Sequence, residues 1–182
     1  MDLPNRDPRP ELPASTEDAL AIQFTRQYRS DWKYVASWDR WLVWSGQKWE
    51  HEDTLRALDL ARQICRSAAT QFRGASIKRR LSSASTAAAV ERLARSDRAH
   101  AARIDIWDRD PWLLNTPGGV IDLRRGTLRR HDRRHRMTKM ATATPGADCP
   151  TWFQFLETIT GGDQDLQAYL RRVIGYCLTG LT

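Results

Sequence analysis

Cysteine is scarce: Cys65, Cys149 and Cys177 are the only three, far apart and without a Cys-x-x-Cys pair. That excludes a disulfide framework and zinc-ribbon spacing, and it fits a reducing compartment. Long apolar runs are missing as well. No stretch approaches the roughly 18 apolar residues of a membrane-spanning helix, and Met1-Asp2-Leu3-Pro4-Asn5-Arg6 lacks the apolar core of a signal peptide. The expected location is cytoplasmic, with no membrane partner. No Gly-x-x-x-x-Gly-Lys-Ser/Thr occurs in the 182 residues. The loop that cradles nucleotide phosphates, with Lys on the β/γ-phosphates and Ser/Thr on Mg²⁺, is therefore not written here. Lysine is rare too: Lys33, Lys48, Lys78 and Lys139 are four of 29 basic residues, which leaves 25 arginines.

What is present is the profile of a soluble folded chain, 28% charged and 41% hydrophobic, long enough for one good core or two small ones without metal or disulfide. Its charge is localised. Arg124, Arg125, Arg129, Arg130, Arg133, Arg134, Arg136 and Lys139 stand against the single acid Asp132, a balance of +7 that equals the formal net charge of the whole chain.

The punctuation predicts an α+β fold, mainly helical with two small β-hairpins. Residues 1–14 hold four prolines and mixed charges, the composition of a disordered tail. Ser15 and Thr16 before Glu17 and Asp18 read as a helix start, and Leu20, Phe24, Tyr28 and Trp32 carry that helix to about Val35. Trp38–Glu50 reads as a tight hairpin turning at Ser45-Gly46. Asp53 is expected to cap a helix bearing Leu58, Ala61, Cys65, Ala68 and Phe72 that ends at Gly74. Two short helices follow over 75–101, anchored by Ile77, Leu81, Val90 and Leu93.

Asn115-Thr116-Pro117-Gly118-Gly119 reads as a turn, and Val120–Leu123 with Thr127–Arg130 as the second hairpin. Thr151-x-x-Gln154 after Pro150 is a capping box for a helix striped by Trp152, Phe155, Leu156 and Ile159. Gly161-Gly162 stops it. Asp163 caps a last helix with Leu166, Leu170, Val173 and Cys177 on one face. A subdomain split is expected near residues 97–104 of a domain spanning 15–182.

Four motifs in order carry a resemblance: Trp41-Leu42-Val43-Trp44-Ser45-Gly46-Gln47-Lys48-Trp49; Leu114-Asn115-Thr116-Pro117-Gly118-Gly119-Val120-Ile121-Asp122-Leu123-Arg124-Arg125-Gly126; Pro150-Thr151-Trp152-x-x-Phe155-Leu156; and Gly162-Asp163-x-x-Leu166-x-x-Tyr169-Leu170 running on to Gly175-Tyr176-x-Leu178-Thr179-Gly180. They resemble the phage and plasmid primase C-terminal family, whose poxvirus primase-helicase N-terminal-like domain precedes a superfamily 3 helicase. The resemblance implies an accessory replication module that positions and oligomerises an ATPase motor. Its implied partners are DNA, the downstream ATPase domain, a homo-hexamer of the parent protein and a primase domain. ATP and Mg²⁺ are implied for that parent, with no cofactor and no catalytic residue in this chain. The chain is then expected to be the front piece of a longer protein. The alternative is a self-standing DNA-binding or regulatory protein of a mobile element.

The basic stretch from Arg124 to Lys139 is the candidate DNA contact, because clustered guanidiniums neutralise phosphates and release counterions. Its bland reading is a solvated hairpin rim. Asp108 and Asp110 superficially suit the two-metal chemistry of a primase, but Pro111 follows at once and a polar strand end is the expectation. His131 and His135 have helical ligand spacing amid arginines, and no zinc site is expected. Trp41, Trp44 and Trp49 read either as a base-stacking platform or as packing, and packing is the expectation.

Overall fold

The computed structural model describes residues 15–146 and 148–181; the tail expected over 1–14 lies outside them. The fold is α+β, with helices dominating and two small three-stranded sheets. The chain divides into two compact units, the first of residues 15–43 and His51–Ile104, the second of Trp44–Glu50 and residues 105–181.

The first unit opens with α1 (Glu17–Tyr28), whose Thr16 hydroxyl accepts from the Ala19 N–H at 3.2 Å while Glu17 and Asp18 face the positive end of the helix dipole. The helix stops at Tyr28, short of Val35. Trp32–Val35 is instead a strand, β1, antiparallel to β2 (Arg40–Trp44) with Trp32 opposite Val43 and Tyr34 opposite Trp41. Trp32 lies four residues beyond Tyr28 in the helical series and two before Tyr34, so either period buries it. The ladder wins because aromatic and β-branched residues pack well on a pleated face. Tyr34 is held further by its N–H donating to the His100 carbonyl at 2.8 Å.

After the turn at Gly46, which has φ +98°, comes β3 (Trp49–His51), giving the sheet order β1-β2-β3. Trp38 falls in a 3-10 turn before β2 rather than in the hairpin.

Helix α2 (Arg56–Thr70) is not capped by Asp53. Leu55, at φ +60°, precedes it with no side-chain cap, and the Glu52 carboxylate gathers the Thr54 N–H at 2.7 Å and the N–H groups of Arg56 and Ala57. Burial acts to raise the Glu52 pKa, but these hydrogen bonds outweigh it and hold the carboxyl below its usual range.

The two short helices expected next are α3 (Ala75–Leu81) and α4 (Ala84–Ser96), with Gly74 leading into α3 rather than closing α2. Leu81 and Val90 are buried, whereas Ile77 and Leu93 stay partly exposed. Leu20 and Phe24 of α1, Trp32, Tyr34 and Trp41 of the sheet, and the small faces of α2 and α4 (Ala61, Cys65, Ala87, Ala94) make this unit's core. Phe24 sits 5.9 Å from Trp41 and 5.6 Å from His100, ring centre to ring centre.

The second unit is built on β4 (Leu113–Thr116), β5 (Gly119–Asp122) and β6 (Thr127–Arg129), antiparallel in that order. The second hairpin is present and gains a strand, because Asn115 and Thr116 belong to β4 rather than to a turn.

Two helices follow, α5 (Pro150–Thr160) and α6 (Gln164–Cys177). The Thr151 capping box does not form. Pro150 is itself in the first turn, where its fixed φ suits the helix, so Thr151 is already helical and Cys149 takes the cap position without a side-chain bond. Gly161 ends α5 at φ +60°, and Asp163 caps α6 by accepting from the Asp165 and Leu166 N–H groups at 3.0 Å. Only Leu156 and Gln167 are buried on these helices, and Phe153, Phe155, Ile159, Tyr169 and Tyr176 are exposed. Among the described residues no helix is long and apolar enough to cross a membrane.

Candidate nucleic-acid interface

Seven of the eight basic residues between Arg124 and Lys139 are exposed, Arg136 being half-buried. Two features of the chain present them. The first is the β5–β6 turn, where Asp122 accepts from the Arg124 N–H at 3.1 Å and the Arg125 N–H at 3.3 Å, turning the chain back at Gly126. The same carboxylate, with only 12% of its side chain accessible, receives Arg129 at 2.8 Å and faces Arg125 at 3.8 Å. The second is a 3-10 turn, Arg133–His135, capped by Asp132 through the Arg134 N–H at 2.8 Å. The Arg134 guanidinium grips Asp132 at 2.6 Å, and that charge-assisted bond holds the carboxyl down at a pKa of about 2.

Two more arginines lie on aromatic faces: Arg124 stands 4.8 Å above the Trp112 ring and Arg136 5.8 Å above Trp107. These partners do not remove the cluster from service. Exposed ion pairs contribute at most about 1 kcal/mol each, so at Arg134 a phosphate can replace the Asp132 carboxylate at small cost.

The stretch is anchored from behind. The Trp49 indole N–H donates to the Arg133 carbonyl at 2.9 Å, its backbone N–H to the Met137 carbonyl at 2.8 Å, and its ring stacks edge-on to Trp107 at 5.5 Å. Trp49 is therefore buried packing. So is Trp41, in the first unit, whose indole N–H donates to Glu91 at 2.6 Å. Trp44 is half-buried against Trp49 at 5.8 Å. The three do not form one stacking platform.

The aspartates are likewise structural. Asp108, at φ +49°, accepts from the Thr138 N–H at 2.7 Å and from the Thr138 hydroxyl, fastening Thr138 to its loop. Asp110 accepts from the Trp112 N–H at 3.0 Å. Neither lies in a strand, and no metal-ligating cluster occurs among the described residues. His131 uses Nε2 on the Thr116 carbonyl at 2.9 Å, which requires a proton on that nitrogen.

Sequence reasoning missed Arg109, Trp112 and Asn115. The first two line a cavity of about 550 Å³ with Arg124, Arg134 and Arg136. Asn115 was visible as a polar residue within the Leu114–Gly126 motif. Its buried amide donates to the Gln47 carbonyl at 3.0 Å and the Lys139 carbonyl at 3.2 Å.

Residues 21–161 match the family model described as D5 N terminal like. No curated protein matches this chain.

Proposed function

The chain belongs to the D5 N-terminal-like family, the poxvirus primase-helicase N-terminal-like domains, and from that premise we propose that it serves a phage or plasmid replication protein by positioning and oligomerising a superfamily 3 ATPase motor and by contacting DNA through Arg124–Lys139. One observation carries the DNA reading: the chain's entire excess charge lies in this stretch, and seven of its eight basic residues face solvent. The exposed apolar side chains along α5 and α6 support the assembly role, since contiguous patches of that kind mark association surfaces. ATP, Mg²⁺ and a hexameric ring belong, in this reading, to the parent protein, because no phosphate-cradling loop lies within these residues.

The test is the salt dependence of DNA affinity. With about four phosphates neutralised, log affinity against log salt falls with a slope between about −3 and −4. Changing Arg129, Arg130, Arg133 and Arg134 together to Ala flattens it; a slope unmoved by that change removes the DNA contact.

A further inference from the structure

Two cavities of the second unit share Asp110, Pro111, Leu113 and His135 and are therefore neighbours. One, of about 340 Å³, has apolar walls from Leu114, Met137, Met140 and Leu178. The other holds Arg109, Arg124, Arg134 and Arg136 beside the Trp112 ring. The apolar cavity falls within the size range of small-ligand sites, about 300–1,000 Å³. Asn115 and His135 also line it, and each has a buried side-chain atom, Oδ1 and Nδ1 respectively, with no partner among the described residues. Buried polar groups are nearly always hydrogen-bonded, so these two residues leave unmet polar capacity beside the cavity.

We propose that the apolar cavity accepts one unstacked nucleobase of single-stranded DNA while the adjoining arginines hold that nucleotide's phosphates. This rests on the DNA contact proposed above and names its substrate class. A simple anion leaves the apolar walls unused, and an uncharged apolar ligand leaves the four arginines unused. A nucleotide combines a flat ring, a hydrogen-bonding edge and a phosphate. Bases of a duplex are stacked and paired and do not enter without being extruded.

Fluorescence anisotropy of the full chain tests this with three labelled probes: a 12-nucleotide single strand, the same strand with abasic spacers in place of its bases, and the matching duplex. The single strand binds about tenfold more tightly than either of the others. Filling the cavity with Ala141→Phe, or from another wall with Leu178→Trp, brings the single strand down to the abasic level and leaves abasic binding unchanged, which also shows that the variants fold. Equal affinity for the normal and abasic strands means phosphate contact alone; it overturns the base pocket and leaves the DNA reading standing. No binding of any probe overturns both. Binding of free deoxynucleoside monophosphate with no strand binding overturns the single-strand assignment.

Discussion

The Trp41 indole N–H donates to the Glu91 carboxylate at 2.6 Å, and the same oxygen receives Arg95 Nε at 2.7 Å. A sheet residue and a helix residue 50 positions apart in sequence thus share one buried acceptor in the core of the first unit. Arg95 continues the network, lying 5.2 Å over the Tyr34 ring and reaching Asp39 at 3.2 Å. Glu91→Ala leaves a buried indole N–H without an acceptor and should cost about 1–3 kcal/mol. Denaturant unfolding measures the loss. Glu91→Gln keeps an acceptor and should cost less, so equal losses from the two variants would argue that burial rather than the hydrogen bond holds Trp41.

His100 should make stability depend on pH. Its ring is wholly buried, and Nδ1 donates to the Trp32 carbonyl at 2.9 Å. Burial lowers its pKa from the usual 6.5, only partly opposed by the Trp32 carbonyl and Asp97, while the charge of Lys33 adds to the lowering. Below about pH 6.5 the unfolded chain therefore binds the proton more readily than the folded one, and stability falls as pH drops toward the folded value. Above that window His100 contributes no slope. Unfolding curves between pH 5 and 8 should show the loss, and His100→Gln should flatten it; an unchanged profile in the variant sinks the assignment.

The helices were legible wherever period and punctuation agreed. Asp163, Gly161 and Thr16 act as their sequence contexts indicate, because each supplies a bond or dihedral that few other residues supply. Where two periods fit the same residue, long-range pairing decided: Trp32 extends the helical series yet also alternates with Tyr34, and the partner strand around Trp41 lies beyond any local window. Asp53 and Thr151 were plausible caps displaced by neighbours, Glu52 by its reach to three N–H groups and Pro150 by its fixed φ. The basic stretch was visible as composition. Its joining to Arg109 and Trp112 depends on how the loops fold back and has no signature in spacing.

Glycine conformation separates two turns. Gly119 has φ +144°, and a Cβ there would stand 2.4 Å from the Arg129 carbonyl oxygen, so the approach of β5 to β6 requires the missing side chain. Gly46 has φ +98° but open space around it. Gly46→Ala should therefore cost about 1 kcal/mol from the backbone alone, and Gly119→Ala about 3 kcal/mol or more, since overlap with backbone adds to the strain. Thermal unfolding of the two variants side by side gives the ranking, and equal shifts would show that β6 moves aside freely.

Asp132 and Arg134 form an exposed ion pair of the basic stretch, the guanidinium side chain 86% accessible. Asp132→Asn keeps the oxygen that caps the Arg134 N–H but removes the charge holding the guanidinium. It frees one cation for phosphate and raises the stretch from +7 to +8. DNA affinity should rise about two- to fivefold at low salt, with the salt slope steepening by less than one. The wild-type carboxyl supplies an independent readout. Its folded pKa, about 2, lies below the usual value of 3.8, so the stabilisation it provides is complete above the usual value and is lost as pH falls through about 2. An NMR titration of the Asp132 carboxyl should find its midpoint near the lower value. A midpoint near the usual value, with affinity unchanged in Asp132→Asn, would mean that Arg134 is already free to meet phosphate.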